Sequence, residues 1–250
     1  ISFAFSDLML SSEFSKDGES VKSITYLSSS DFLVESPTKK SGLLYLGDKD
    51  QFYIIDHKDK KMTTVSQKDL FIYARKRAKL SPNTKEIKKD LPALFNSELE
   101  SMLDEILKTS DMSYQKLNIR IEAAKDDRKW KKHSLRRYDA IVDGKKTLSL
   151  WLLPHKVAKL SKTEIKSIVV SAKLLRFFIS SMGQETSTTV EAAYLKALEK
   201  EPGILVYTEQ FGPLFKVDAS SKLVEFKRVK SLSSKFKVPL SYTQASFVPK

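Results

Sequence analysis

Residues 43–65 read LLYLGDKDQFYIIDHKDKKMTTV. Three short apolar runs, at 43–46, 52–55 and 62–65, are separated by Gly47-Asp48-Lys49-Asp50 and by the polar run at 56–61. Aromatic and β-branched residues suit a pleated, half-buried surface, and polar spacers of this length match hairpin connections. The stretch predicts three strands joined by hairpins, and hence an antiparallel sheet without crossovers.

The same period of two recurs on both sides. Ile1, Phe3 and Phe5 alternate upstream, as do Ile24 and Tyr26; Leu117, Ile119, Ile121 and Ala123 alternate downstream, followed by Tyr138, Ala140 and Val142. Asp143-Gly144 is a two-residue hairpin signal, because both positions of a type I′ turn need positive φ. On the return strand, Leu148, Leu150 and Leu152 face one way and Trp151 and Leu153 the other, so both sides should be covered. The tail is again β, with strands expected at 204–211, 214–217 and 223–229, a Gly212-Pro213 turn, and an extended end from Phe236 to Phe247.

Between the strands the period changes. Residues 66–81 place Leu70, Phe71, Ala74 and Ala78 on one side, and Pro82 interrupts them. Ser97 and Glu100 have capping-box spacing, so 67–112 reads as a helical insertion. A second capping box, Ser161 and Glu164, opens a one-sided helix carrying Ile165, Ile168, Ala172, Leu175, Ile179 and Met182. A shorter helix is expected at 189–200. This order of strands, helices, strands, helices and strands, without βαβ alternation, predicts one α+β domain over 1–250.

Three segments resemble a known family. They are YIIDHKDKKMTTV at 53–65, YDAIVDGKK at 138–146 followed by Trp151 and a helix, and FKVPLSY at 236–242. These are similar to elements of periplasmic domains related to the lipoprotein carrier LolA and the mycobacterial LppX group. The resemblance implies an incomplete β-barrel, a curved antiparallel sheet with helices covering its concave face, and a lipid or acyl chain held between them. The chain departs from the family in its long basic insertion and in lacking a Cys before Tyr138.

Composition narrows the function. There is no Cys among 250 residues, which excludes disulfides, a thiolate nucleophile and Cys-based zinc sites. No apolar run reaches the roughly 18 residues of a membrane-spanning helix. The chain opens on Ile1, for which we expect a removed signal peptide and a periplasmic or otherwise exported protein. Net charge is +13, but residues 1–66 carry 8 Lys/Arg against 10 Asp/Glu, so the remainder holds +15. Such a field favours anionic partners, although lysine used merely to solvate a surface gives the same count.

No motif carries catalysis. His57, His133 and His155 lack metal-ligand spacing, and neither a G-x-S-x-G elbow nor a P-loop occurs among 7 glycines. Asp48/Asp50 and Asp126-Asp127 are solvated turn acids. We therefore expect a non-enzymatic protein without cofactor or metal.

Two residue sets are binding candidates. Tyr45, Phe52, Tyr53, Trp151 and Tyr207 on apolar strands, with Leu153 and with Ile168 and Leu175 of the helix, are candidates to line a lipid pocket; equally they are core. Arg128, Lys129, Trp130, Lys131, Lys132, Arg136 and Arg137 form the sharpest electrostatic feature. Three readings compete for them: an anionic membrane surface with Trp130 at the interface, a nucleic acid stacked on Trp130, or a hairpin with outward cations and an inward Trp130. Arg75, Lys76, Arg77 and Lys79 are a second patch or a solvated helix face. The expected function is lipid or lipoprotein acyl-chain binding in the cell envelope. The alternatives are a protein-interaction module with a filled core and, third, a nucleic-acid-binding protein.

Overall fold

The computed structural model describes residues 7–70, 72–73, 119–125, 128–182, 185–212, 216–245 and 247. The expected alternation at 1–5, nearly all of the helical insertion with its Ser97/Glu100 cap, the Arg75–Lys79 patch, Leu117, Asp126-Asp127 and the Pro213 turn lie outside these residues.

Six strands follow one another as hairpins: β1 (Asp7–Lys16), β2 (Glu19–Leu27), β3 (Phe32–Ser36), β4 (Ser41–Leu46), β5 (Gln51–Asp56) and β6 (Lys61–Ser66). The quoted stretch is thus β4-β5-β6, with its predicted turns in place. The turns ahead of β4, β5 and β6 end on residues with left-handed backbone, Lys40, Asp50 and Lys60, at φ 51°, 50° and 49°. In the turn after β5, the Asp56 carboxylate accepts the N–H of Lys58 and of Asp59 at 2.9 and 3.0 Å. These bonds, that from Asp59 foremost, hold the Asp56 carboxyl below the usual range.

Further along the chain come β7 (Ile119–Ala124), β8 (Lys129–Trp130), β9 (His133–Ser134), β10 (Arg136–Val142) and β11 (Lys145–Pro154). Asp143 and Gly144, with φ 49° and 78°, form the expected turn between β10 and β11. Three helices follow: α1 (His155–Ala158), α2 (Lys162–Met182) and α3 (Glu185–Lys200). The Ser161/Glu164 capping box forms as read. Ser161 N–H donates to Glu164 Oε2 at 2.7 Å, and Glu164 N–H donates to Ser161 Oγ at 3.2 Å. α3 begins four residues ahead of the predicted start. The chain closes with β12 (Gly203–Phe211), β13 (Val217–Val229) and β14 (Thr243–Ala245).

Twelve strands form one curved, unclosed sheet in the order β14-β6-β5-β4-β3-β2-β1-β13-β12-β11-β10-β7. Every pair is antiparallel except β14 with β6, so the sheet is mixed at one edge. Val217, the end of the strand expected at 214–217, and the strand expected at 223–229 belong to one strand, β13, while residues 214–215 lie outside the described residues. Register shifts leave Asp218 and Val224 as extra residues, and Asp218 with the polar Ser220, Ser221 and Lys222 breaks the apolar pattern between 217 and 223 while pairing continues. The expected extended tail from 236 carries a turn at 240–241 and the short strand β14, with Leu232, Phe236, Val238 and Tyr242 packed on the sheet.

The two sides of the sheet carry separate cores. On the side facing α2, Leu8, Leu27, Phe32, Tyr45, Phe52 and Val65 join Ile168, Ala172 and Leu174 of the helix. On the other side, Tyr26, Leu33, Leu44, Tyr53, Ile55 and Met62 meet the tail. β11 is covered on both faces, as its sequence requires: Leu148, Leu150 and Leu152 pack with Ala192, Ala193 and Ala197 of α3, and Trp151 and Leu153 belong to the α2-side cluster.

Candidate ligand-binding site

Register turns the α2-facing side into three rows. The first, Leu8–Leu27–Phe32–Tyr45–Phe52–Val65, crosses six strands and is buried. Its aromatic rings touch one another, and Phe178 of α2 stands 5.2 Å from Phe52. This row is filled by protein side chains.

Two residues along each strand lies the second row, Phe226–Leu10–Thr25–Val34–Leu43–Ile54–Thr63, crossing seven strands from β13 to β6. Every member is uncharged and only half-buried. Six inter-strand spacings of about 4.8 Å make a band about 29 Å long. Ile165, Val169, Val170, Phe177 and Phe178 of α2 are likewise half-buried against the same core. The third row is polar: Ser12 pairs with Ser23, and Ser36, Ser41, Asp56 and Lys61 continue the rim. The band is therefore an apolar strip bordered by a filled core on one side and hydroxyls on the other.

What holds α2 over the sheet is Arg228, next to Leu8 on β13. Its Nε donates to Glu164 Oε1 at 2.7 Å, and its Nη2 to the carbonyls of Ala158 and Lys159 at 3.1 and 2.8 Å. Glu164, with a side chain only 6% exposed, thus caps α2 and ties it to β13 at once.

The predicted lipid-lining residues divide. Tyr45, Phe52, Trp151, Leu153 and Ile168 share the α2-side core, Tyr207 is half-buried against it, and Leu175 is half-buried on α2. Tyr53 lies in the core on the other side, because a neighbour of Phe52 along a strand must point the opposite way. The accessible band was missed by the sequence reading. Its members are four aliphatics, two Thr and a Phe, and only strand register aligns them; alternation with Phe52 and Tyr45 was the usable signal.

The basic run also divides. β8 and β9 form a two-stranded hairpin with Trp130 7% exposed, its Nε1–H donating to Leu223 O at 3.0 Å. The indole is turned inward, as the hairpin reading expects. Arg128 stacks on the Trp151 ring at 3.9 Å and pairs with Glu209 at 2.9 Å. Arg137 forks onto Asp139 at 3.0 and 3.2 Å. Burial raises the Asp139 carboxyl, but bonds from Ser149, Arg137 and Lys146 outweigh it and hold the group below the usual range. Lys129, Lys131, Lys132 and Arg136 remain exposed on the surface.

Two of the three histidines make structural contacts. His57 Nδ1 lies 2.9 Å from the Tyr242 hydroxyl and His155 Nδ1 3.2 Å from Pro202 O. Among the described residues no three His, Asp or Glu side chains converge. No helix among them is long and apolar enough to cross a membrane.

One carboxyl stands out. Glu191 of α3 has its Oε2 shut off from solvent without a hydrogen-bond partner. Burial pushes it up to about 7 from 4.5, against the pull of its own backbone N–H and of Arg176. The folded state thus holds the proton more tightly than the unfolded chain. The stability this contributes is full below about pH 4.5 and is lost as pH rises through about 7, roughly 3 kcal/mol in all. Glu191→Gln should therefore gain stability relative to the parent across that window. Equal slopes of urea-derived stability against pH between 4.5 and 8 in the two proteins would contradict this.

No family model matches the chain, and no curated protein matches it in sequence. Solved structures that are similar to it include an uncharacterized conserved protein from Thermus thermophilus, at 8% identity and TM-score 0.48, covering 98% of this chain and 91% of that one. PNGF-II is similar at 10% identity and TM-score 0.39, over 96% of this chain and 31% of that one. A putative outer membrane lipoprotein-sorting protein domain from Vibrio parahaemolyticus is a weak structural neighbour, at 13% identity and TM-score 0.27, covering 92% of this chain and 88% of that one.

Proposed function

We propose that this chain is a non-enzymatic cell-envelope protein that binds a lipid or acyl chain between its sheet and α2. The observation carrying this reading is the half-buried second row, an unbroken uncharged strip from Phe226 to Thr63. Apolar burial would drive binding, at about 0.8 kcal/mol per CH₂. The chain would lie along this band rather than in the aromatic row, which Phe178 already fills. Exposed Lys129, Lys131 and Lys132 would draw the protein to anionic head groups, and under this reading the protein is periplasmic or otherwise exported.

The filled aromatic row favours a second reading, a protein-interaction module without a ligand. Titration with a fluorescent fatty acid and with phospholipid separates the two. Under the lipid reading, Leu43→Glu binds at least tenfold more weakly than the parent, while Val224→Glu, at a residue 51% exposed on the β13 bulge, binds as the parent does. No binding by the parent, or equal binding by Leu43→Glu, favours the filled-core module.

A further inference from the structure

Among the described residues, β7 is the last strand of the sheet beside β10 and no strand pairs beyond it. Its backbone groups at Ile119 and Ile121 point outward, because their carbonyls are taken by lysines of α3. Lys196 Nζ donates to Ile119 O at 2.7 Å and Lys200 Nζ to Ile121 O at 2.6 Å. The two lysines are four residues apart, one helical turn, and the two carbonyls two residues apart, one strand repeat. Both lysines are exposed, so each ammonium can return to water. Lysines over an open edge are a means of blunting strand addition.

The charge pattern of β7 fits one particular partner. Arg120 and Glu122 flank Ile121 on one face of the strand, 71% and 49% exposed, and pair with each other at 2.7 Å. If a second β7 lies antiparallel about a two-fold axis at Ile121, residue 121 meets 121, 119 meets 123, and Arg120 of each copy meets Glu122 of the other. The outward N–H and C=O groups of Ile121 then form a hydrogen-bonded pair. Arg120 and Glu122 fall in the non-hydrogen-bonded pairs, where side chains approach most closely. An isologous contact requires such self-complementarity.

We propose that the outer edge of β7 docks a second copy of this chain by antiparallel pairing about Ile121, with Lys196 and Lys200 as removable guards that set its strength. The dimer joins two sheets edge to edge, and the lysines leave the Ile119 and Ile121 carbonyls as the partner's N–H groups arrive. This inference does not depend on the lipid reading.

Sedimentation equilibrium of the full chain over a range of concentrations tests it. The parent should show a reversible monomer–dimer equilibrium, and Lys196→Met with Lys200→Met should tighten it at least tenfold. Glu122→Arg, an exposed change, places Arg against Arg and should leave a monomer at concentrations where the parent is half dimeric. Adding Arg120→Glu to Glu122→Arg restores opposite charges and should restore the dimer. The proposal is overturned if both the parent and the lysine variant stay monomeric throughout. A dimer indifferent to Glu122→Arg, or one not recovered by the double reversal, overturns it equally.

Discussion

Replacing Arg228 by Met is expected to lower stability by about 3–5 kcal/mol, the cost of taking the cation from a buried ion pair. The carboxylate that loses its guanidinium is Glu164, which keeps the Ser161 N–H and whose side chain is 6% exposed while that of Arg228 is 37% exposed. Met keeps much of the stem packing, so the loss measures the ion pair and its bonds rather than a cavity. Removing the other partner should cost less, because a half-exposed Arg228 can turn to water and keep the Ala158 and Lys159 carbonyls. A double-mutant cycle with Glu164→Gln isolates the coupling, and the double variant should be more stable than the sum of the two losses predicts. Denaturant unfolding of the four proteins reads this directly. A loss below about 1 kcal/mol for Arg228→Met would put the pair among ordinary surface ion pairs. The result also bears on function, since this staple fixes the angle at which α2 leaves the sheet.

Trp151→Ala should cost about as much, roughly 3–5 kcal/mol, for a different reason. The ring is 1% exposed in the α2-side core, with the guanidinium groups of Arg128 and Arg137 at 3.9 and 5.3 Å from its centroid. Alanine leaves a cavity and removes the surface that both cations cover. Trp151→Phe should be far milder. It gives up part of the volume, but it also removes a buried indole N–H that has no hydrogen-bond partner. An unmade bond of that kind costs about 1–3 kcal/mol, which offsets lost packing. We expect Trp151→Phe within about 1.5 kcal/mol of the parent. If both variants unfold at the same denaturant concentration, the indole contributes something other than volume.

Much of the fold was legible because its signals are local. Asp143-Gly144, the polar spacers at 47–50 and 56–61, and the Ser161/Glu164 box act through near neighbours, and each formed where it was read, the second spacer giving its first and last residues to the flanking strands. The Trp130 hairpin was legible only as one of three readings. Its choice rests on Leu223, whose carbonyl takes the indole N–H from 93 residues away. The candidate site was legible in part. Alternation identified the aromatic strands, but Tyr53 was grouped with Phe52, although a period of two places neighbours on opposite faces. The break read into β13 had another origin, since the polar run from Asp218 to Lys222 looks in sequence like a turn although pairing runs through it.

Local pattern was enough for the hairpins, the capped helix, the doubly covered β11 and the excess of positive charge after residue 66. These rest on backbone preferences and apolar periodicity that neighbouring residues carry between them. It took the assembled sheet to show that β13 joins β1 to β12, that β14 adds parallel to β6, and that seven strands align Phe226 through Thr63 into one band. The same assembly brings Arg228 to Glu164 and lays two lysines of α3 over the edge of β7. Those contacts join residues tens to hundreds of positions apart. They depend on the register and curvature of the whole sheet, which no short stretch of the chain encodes.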